Sequence, residues 1–307
     1  MYTFYTVFGS PVLHSKSPQL FSPMLEGSEH VCYTRIRPQS GKDLIQLAKE
    51  LDIRGGSVTS PFKETILPLV DHASEDAFSI GAVNCIRNIN GRIEGHNTDH
   101  YGVTGALQEG GLSLDGSRIL VLGAGGAARA AVFGLVKAGA RVCISNRTLT
   151  KAYALADAFG GEVISWDQPG TLPEFDAIVS ALLPEALPPY MESISYGLLL
   201  DAIYKPSAVT EFSKKKGIPV IRGERWLVHQ GMEAAAFYLG SKPDAATLSG
   251  QLNQPLDQEK LDIFVLHDNN IQAFYSKPHD LVISGHGLSP ETINQLIHEE
   301  KRLAFGS

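Results

Sequence analysis

Short apolar runs separated by amphipathic stretches dominate the first three quarters of the chain. YTVFG, at residues 5–9, reads as a buried strand, and CYTRIRP, at 32–38, as a second. The stretch DLIQLAKELDI then repeats its apolar positions at helical spacing. GGSVTS is a short strand ending at Pro61. AVNCIRNINGRIEGHN has the pattern of a hairpin, with Asn90-Gly91 as its two-residue turn. A helical stretch, TGALQEGG, precedes a regular alternation. RILVLG, RVCISNR, EVISW, DAIVSA and GLLLDAIY read as strands; AARAAVFGLVKAG and TKAYALADAFG read as helices between the first of them. Strands alternating with helices build βαβ units and a parallel sheet with right-handed crossovers.

The fold class expected is therefore α/β, in three parts. An N-terminal α/β substrate domain covers residues 1–103, with a returning helix, WLVHQGMEAAAFYLG, from about 226 to 250. A Rossmann-type doubly wound nucleotide-binding domain covers 104–225. SKPDAATLSGQLNQPLDQEK reads as a polar linker into a small, separate C-terminal α/β extension, 255–307. The extension carries two apolar runs, DIFVLH and DLVISGHG, and a helix start at Ser289-Pro290-Glu291.

Composition narrows the function classes. With 43% hydrophobic and 19% charged residues the chain is an ordinary globular one. A net charge of −7 without a Lys/Arg run leaves no footprint for nucleic acid. No stretch reaches the ~20 apolar residues of a membrane span, and the start lacks the basic-then-apolar order of a signal peptide. Three scattered cysteines, Cys32, Cys85 and Cys143, argue against a disulfide framework or a zinc site and fit buried thiols in a reducing cytoplasm. His267, His279, His286 and His298 match no standard ligand spacing, so no metal is expected.

The candidate chemistry clusters at strand ends. Gly123-Ala124-Gly125-Gly126-Ala127-Ala128 follows a strand and opens a helix, which lets backbone N–H groups approach a pyrophosphate. The next strand ends in Ser145-Asn146-Arg147-Thr148, where an acid that would bond a ribose 2′-hydroxyl is replaced by Arg. A guanidinium there, aided by Lys151, selects the 2′-phosphate of NADP. Ser15 and Ser17, two apart in a Pro-bounded loop, suit a carboxylate, although Ser17 before Pro18 also reads as a helix N-cap. Lys63 in SVTSPFK and Asp99 in GHNTD are the acid–base candidates: an ammonium supplies the proton a reduced ketone needs, and a carboxylate keeps it charged.

Taken in order, HSKSP, SVTSPFK, IGAVN, NTD, GAGGAARA, NRT, DAIYKP with a Thr four residues on, and the Gln of WLVHQG resemble the shikimate dehydrogenases over about residues 4–250. Ser57, Cys85 and His100 are more similar to the plant-type, dehydroquinase-fused members. The resemblance implies NADP-dependent reduction of 3-dehydroshikimate to shikimate, in aromatic amino-acid biosynthesis, by a monomer or homodimer. It implies Ser15 and Ser17 on the substrate carboxylate, and Thr59, Asn84, Tyr204 and Gln230 on ring hydroxyls or the neighbouring site. It implies Lys63 and Asp99 as the catalytic pair, Gly123, Gly125, Gly126 and Ala127 under the pyrophosphate, and Asn146, Arg147 and Thr148 around the ribose phosphate. Quinate enzymes of the family tend to lose the first Ser of the loop, which is kept here as Ser15.

Three departures leave alternatives open: a quinate or aminoshikimate dehydrogenase, or a non-catalytic NADP- or metabolite-sensing relative. Ser180-Ala181-Leu182-Leu183-Pro184 stands where the family has Asn-Ala-Thr beside the cofactor. Trp226 replaces a Met that lies near the nicotinamide, and its larger ring is expected to narrow or reshape that pocket. Ala234 stands where plant-like members have a second Gln.

Overall fold

The computed structural model describes residues 3–25, 31–167, 172–252, 263–266, 281–284 and 295. The chain divides into two compact units, one made of 1–97 with 232–307 and the other of 98–231.

The first unit is built on an eight-stranded sheet. Its parallel centre is β1 (Thr3–Phe8), flanked by β2 (Val31–Arg37) and β3 (Ile53–Val58). Helix α1 (Ser17–Phe21) follows β1. Helix α2 (Gly41–Glu50) forms where the pattern demands: Ser40 caps it by accepting Asp43 N–H at 3.1 Å, and Leu44, Leu47 and Ala48 face inward. After the short α3 (Phe62–Thr65) and β4 (His72–Ala73), helix α4 (Glu75–Ile80) is capped by Ser74 and closed by left-handed Gly81. The predicted hairpin is β5 (Cys85–Ile89) and β6 (Arg92–His96), antiparallel, with Asn90 and Gly91 both at positive φ (53° and 84°) as a type I′ turn requires. Phe8, Ile36, Leu44, Ile53, Val58, Phe62 and Ile86 make the core on one side. Phe21 stacks on Tyr33 and meets Tyr238 edge-on within the same unit.

The second unit carries the all-parallel sheet. Helix α5 (Asp99–Glu109) precedes β7 (Arg118–Leu122), α6 (Gly126–Lys137), β8 (Arg141–Ser145), α7 (Leu149–Phe159) and β9 (Glu162–Ile164). The chain then crosses to β10 (Ala177–Ser180), β11 (Leu199–Asp201), α8 (Ala208–Lys215) and β12 (Val220–Ile221). The spatial order β12-β11-β10-β7-β8-β9 reverses direction between β7 and β10, the place where doubly wound sheets bind their ligands. Helix α9 (Gly223–Tyr238) leads out of this unit.

Two expectations change. The polar linker contains a helix, α10 (Ala245–Leu252), capped by Asp244 accepting Thr247 N–H at 2.7 Å and anchored by buried Leu248 and Leu252. The extension does not form a sheet of its own: β13 (Ile263–Leu266) pairs with β14 (Leu281–Ser284), and β14 pairs in parallel with β2. The four tail histidines and the helix start at Ser289 lie outside the described residues. Among the described residues no helix is long and apolar enough to cross a membrane. Cys85 and Cys143 are buried free thiols, and burial, then the Glu162 carboxylate, pushes the Cys143 thiol up to about 11.

Candidate functional site

In the second unit the glycine loop lies at the switch point. Gly123 has φ of 113°, and a Cβ there would stand 2.9 Å from the carbonyl oxygen of Ala181 after β10, so only glycine fits. Side chains at Gly125 or Gly126 would project into open space, the room a pyrophosphate needs. Gly125 is the N-cap of α6; no side chain caps it and no acid sits in the first turn, so nothing competes with an anion there. A cleft of about 240 Å³ runs from Gly123, Ala124 and Gly125 to Asn146, Arg147, Thr148 and Lys151. Asn146 fixes the turn by donating to the carbonyl of Thr148 at 2.9 Å. Arg147 and Lys151 are exposed at the rim.

Trp166, Ala181, Leu182, Leu183 and Ala186 also line the cleft. The Ser180–Pro184 loop thus contributes apolar side chains to the cleft, and Leu183 is 63% exposed. Trp166, which sequence reasoning missed, packs edge-on against Tyr190 with ring centroids 6.4 Å apart. A lone Trp after a short edge strand carries no local signal of a wall.

In the first unit Ser15 and Ser17 come together. Ser15 Oγ donates to Ser17 Oγ at 3.2 Å and accepts the Ser17 N–H at 3.3 Å. The N-cap expected at Ser17 is not formed: Lys16 occupies the cap position without a side-chain bond, and Ser17 is the first helical residue. The Ser15 hydroxyl takes that N–H instead, which leaves the two hydroxyls side by side. Thr59 follows β3, held by its N–H to Phe8 O at 2.9 Å, and Asn84, 5% exposed, is held by its N–H to His96 O at 3.0 Å. Lys63 lies on α3, half-buried, and its carbonyl accepts Val83 N–H at 2.8 Å. Ser57 accepts a hydrogen bond from Tyr33 at 3.2 Å.

Asp99, Tyr204 and Gln230 belong to the second unit. Asp99 is 6% exposed and opens α5. Burial, then the charges of Asp99 and Glu224, raises the Tyr204 phenol, which therefore stays protonated. Tyr204 is 41% exposed. Its loop is organised by Asp201, 2% exposed, which accepts from Ser207, from Thr210 Oγ1 at 2.8 Å and from Ile203 N–H at 3.4 Å. These bonds explain the spacing of DAIYKP and its later Thr. Arg222 holds the Tyr204 carbonyl at 3.0 Å. Gln230 is half-buried on α9.

Trp226 is placed by the packing of its own unit. It is 6% exposed within the core of the second unit, and its Nε1–H donates to the Asp99 carbonyl at 2.9 Å. Gly102 makes room for it, since a Cβ there would stand 2.2 Å from the indole Cδ1.

A dinucleotide loop at the switch point of a doubly wound sheet, joined to an α/β unit with polar groups at its strand ends, defines a two-domain nicotinamide-linked dehydrogenase class. Residues 7–86 match the family model described as the shikimate dehydrogenase substrate binding domain, and 106–187 that of shikimate / quinate 5-dehydrogenase. The NADP(+) shikimate dehydrogenase of Aquifex aeolicus is 35% identical over 77% of this chain and 91% of its own length. The chain belongs to the shikimate dehydrogenase family. The shikimate 5-dehydrogenase of Thermus thermophilus, solved in complex with NADP(H) and shikimate, superposes with a TM-score of 0.73 at 35% identity, covering 81% of this chain and 98% of that one. A 5-ketofructose reductase of Gluconobacter sp. gives 0.73 at 28% identity, over 82% and 98%. The shared fold therefore does not by itself select the substrate.

Proposed function

We propose that the chain catalyses NADP-dependent reduction of 3-dehydroshikimate to shikimate, and the reverse. The observation that carries the substrate is the Ser15–Ser17 hydroxyl pair, 3.2 Å apart, in a member of this family. Two neighbouring hydroxyls suit the two oxygens of one carboxylate. The uncapped α6 terminus, the open space over Gly125 and Gly126, and the rim cations Arg147 and Lys151 fit NADP.

When bound, the cofactor supplies or accepts a hydride at the substrate's carbonyl carbon. The protein's own share is proton transfer and orientation. Lys63 gives the oxygen its proton during reduction and takes it back during oxidation, and Asp99 is the second member of the catalytic pair. Tyr204, with its raised pKa, is a neutral donor across physiological pH. Thr59, Asn84 and Gln230 orient ring hydroxyls. The buried thiols suit a reducing cytoplasm, where such an enzyme meets its cofactor.

The test follows NADPH absorbance with shikimate or quinate and with NADP or NAD. NADPH formation restricted to shikimate is expected. Activity with quinate alone would move the substrate, and inactivity with every pair despite NADP binding would leave a sensor. Lys63→Ala is expected to lower kcat by ~10²–10⁴ with NADP affinity unchanged; near-normal turnover would remove Lys63 from proton transfer.

A further inference from the structure

Arg35 is the largest fully buried side chain among the described residues, at 0% exposure, between buried Thr34 and Ile36 on β2. A guanidinium is never deprotonated, so its burial has to be offset by hydrogen bonds. One of them goes to the substrate loop: Arg35 Nη2 donates to the Ser15 carbonyl at 2.8 Å.

The backbone that carries Arg35 is locked on both sides. It registers with Val7 on β1 and with Leu281 on β14. The loop it reaches has no strand pairing at Ser15, whose own N–H turns back to Val12 O at 3.0 Å. Arg35 is therefore a strut from the middle of an eight-stranded sheet to the residue that carries the first hydroxyl. The Ser15 hydroxyl in turn meets Ser17 Oγ at 3.2 Å.

We propose that Arg35 is a positioning residue for carboxylate recognition: it fixes the Ser15–Ser17 loop at the spacing at which both hydroxyls meet one substrate carboxylate. This rests on the reading of Ser15 and Ser17 given above. Binding groups must be held within about 0.5 Å of the productive geometry, and a loop freed from its strut exceeds that.

The test uses the full chain with Arg35→Met, Arg35→Gln and Arg35→Lys, assayed with shikimate and with its uncharged methyl ester, with melting followed in parallel. In the Met and Gln variants the shikimate KM is expected to rise about tenfold or more, while kcat and the NADP KM stay within about twofold. The preference for shikimate over the ester falls by a similar factor. Arg35→Lys, which keeps a donor, recovers part of the loss. An unchanged shikimate KM in either folded variant overturns the proposal. So does a parallel loss of kcat and both KM values with the melting temperature, and so does failure of both variants to fold, since each assigns Arg35 to the core alone. Wild-type enzyme inert with shikimate, or Ser15→Ala with unchanged KM, would instead sink the functional reading on which the inference rests.

Discussion

Replacing Trp226 by Met puts the placement of that ring to the test. In the structure the indole is a post inside the core of the second unit, beneath the first residue of α5. Substitution removes the bond from Nε1 to the Asp99 carbonyl, and a buried carbonyl left without its donor costs about 1–3 kcal/mol. Met also fills less of the space beside Gly102. Trp→Ala in a core costs about 3–5 kcal/mol, and Met retains part of the volume. A loss of about 2–3 kcal/mol follows, or roughly 3–5 °C in melting temperature for a chain of this size. The assay pairs thermal melting with steady-state kinetics. kcat is expected to fall several-fold because the start of α5, with Asp99, is no longer held, while the NADP KM stays within about twofold. A double-mutant cycle with Gly102→Ala sharpens the reading. A Cβ at Gly102 stands 2.2 Å from the indole and 2.7 Å from the Trp226 backbone oxygen. Met at 226 therefore relieves only part of the clash, and a coupling of about 1 kcal/mol is expected. An unchanged melting temperature with a shifted NADP KM would refute this account and return Trp226 to the wall of the cofactor pocket.

Two further outcomes are expected. Arg147→Ala should raise the NADPH KM about tenfold, with NADH nearly unaffected; the low end of a charge-assisted contact applies because Arg147 is exposed and Lys151 shares the rim. Equal losses for both cofactors would show that Arg147 does not read the phosphate. In Glu109, the bond from Arg225, then the one from His229, lowers the carboxyl below its usual 4.5. A lowered folded-state pKa contributes stability above 4.5 that is lost as pH falls through the depressed value. Glu109→Gln should therefore flatten the acid limb of stability below that pH, as read by melting against pH; an unaltered limb would show that the pair contributes nothing.

The features legible in the sequence are those with a short-range cause. The hairpin is visible because Asn90-Gly91 supplies two positive φ angles, and the cofactor loop because a glycine turn between strand and helix has few other uses. What escapes depends on distant partners. The stretch after Asp244 reads as linker because α10 is secured by only two buried leucines. The packing of Trp226 is hidden because nothing in its neighbours announces Gly102 on another helix. Arg35 is one of two arginines on its strand, and nothing local names its acceptor on the β1–α1 loop, which is tertiary. The pairing of β14 with β2 is of the same kind, since strand partners separated by most of the chain leave no periodic trace.

That pairing also sets an order of events during synthesis. The sheet of the first unit draws strands from before and after the second unit, whereas the second unit, 98–231, is continuous. As the polypeptide leaves the ribosome, the continuous unit has all its strands available while β2 still waits for β14. Domains fold as units while synthesis proceeds, and pairings between remote segments are slow. The nucleotide-binding half is thus complete first, and the edge of β2 stays uncovered until residues 281–284 emerge. The nascent chain therefore meets its period of greatest exposure to aggregation at that edge, in the interval before β14 arrives.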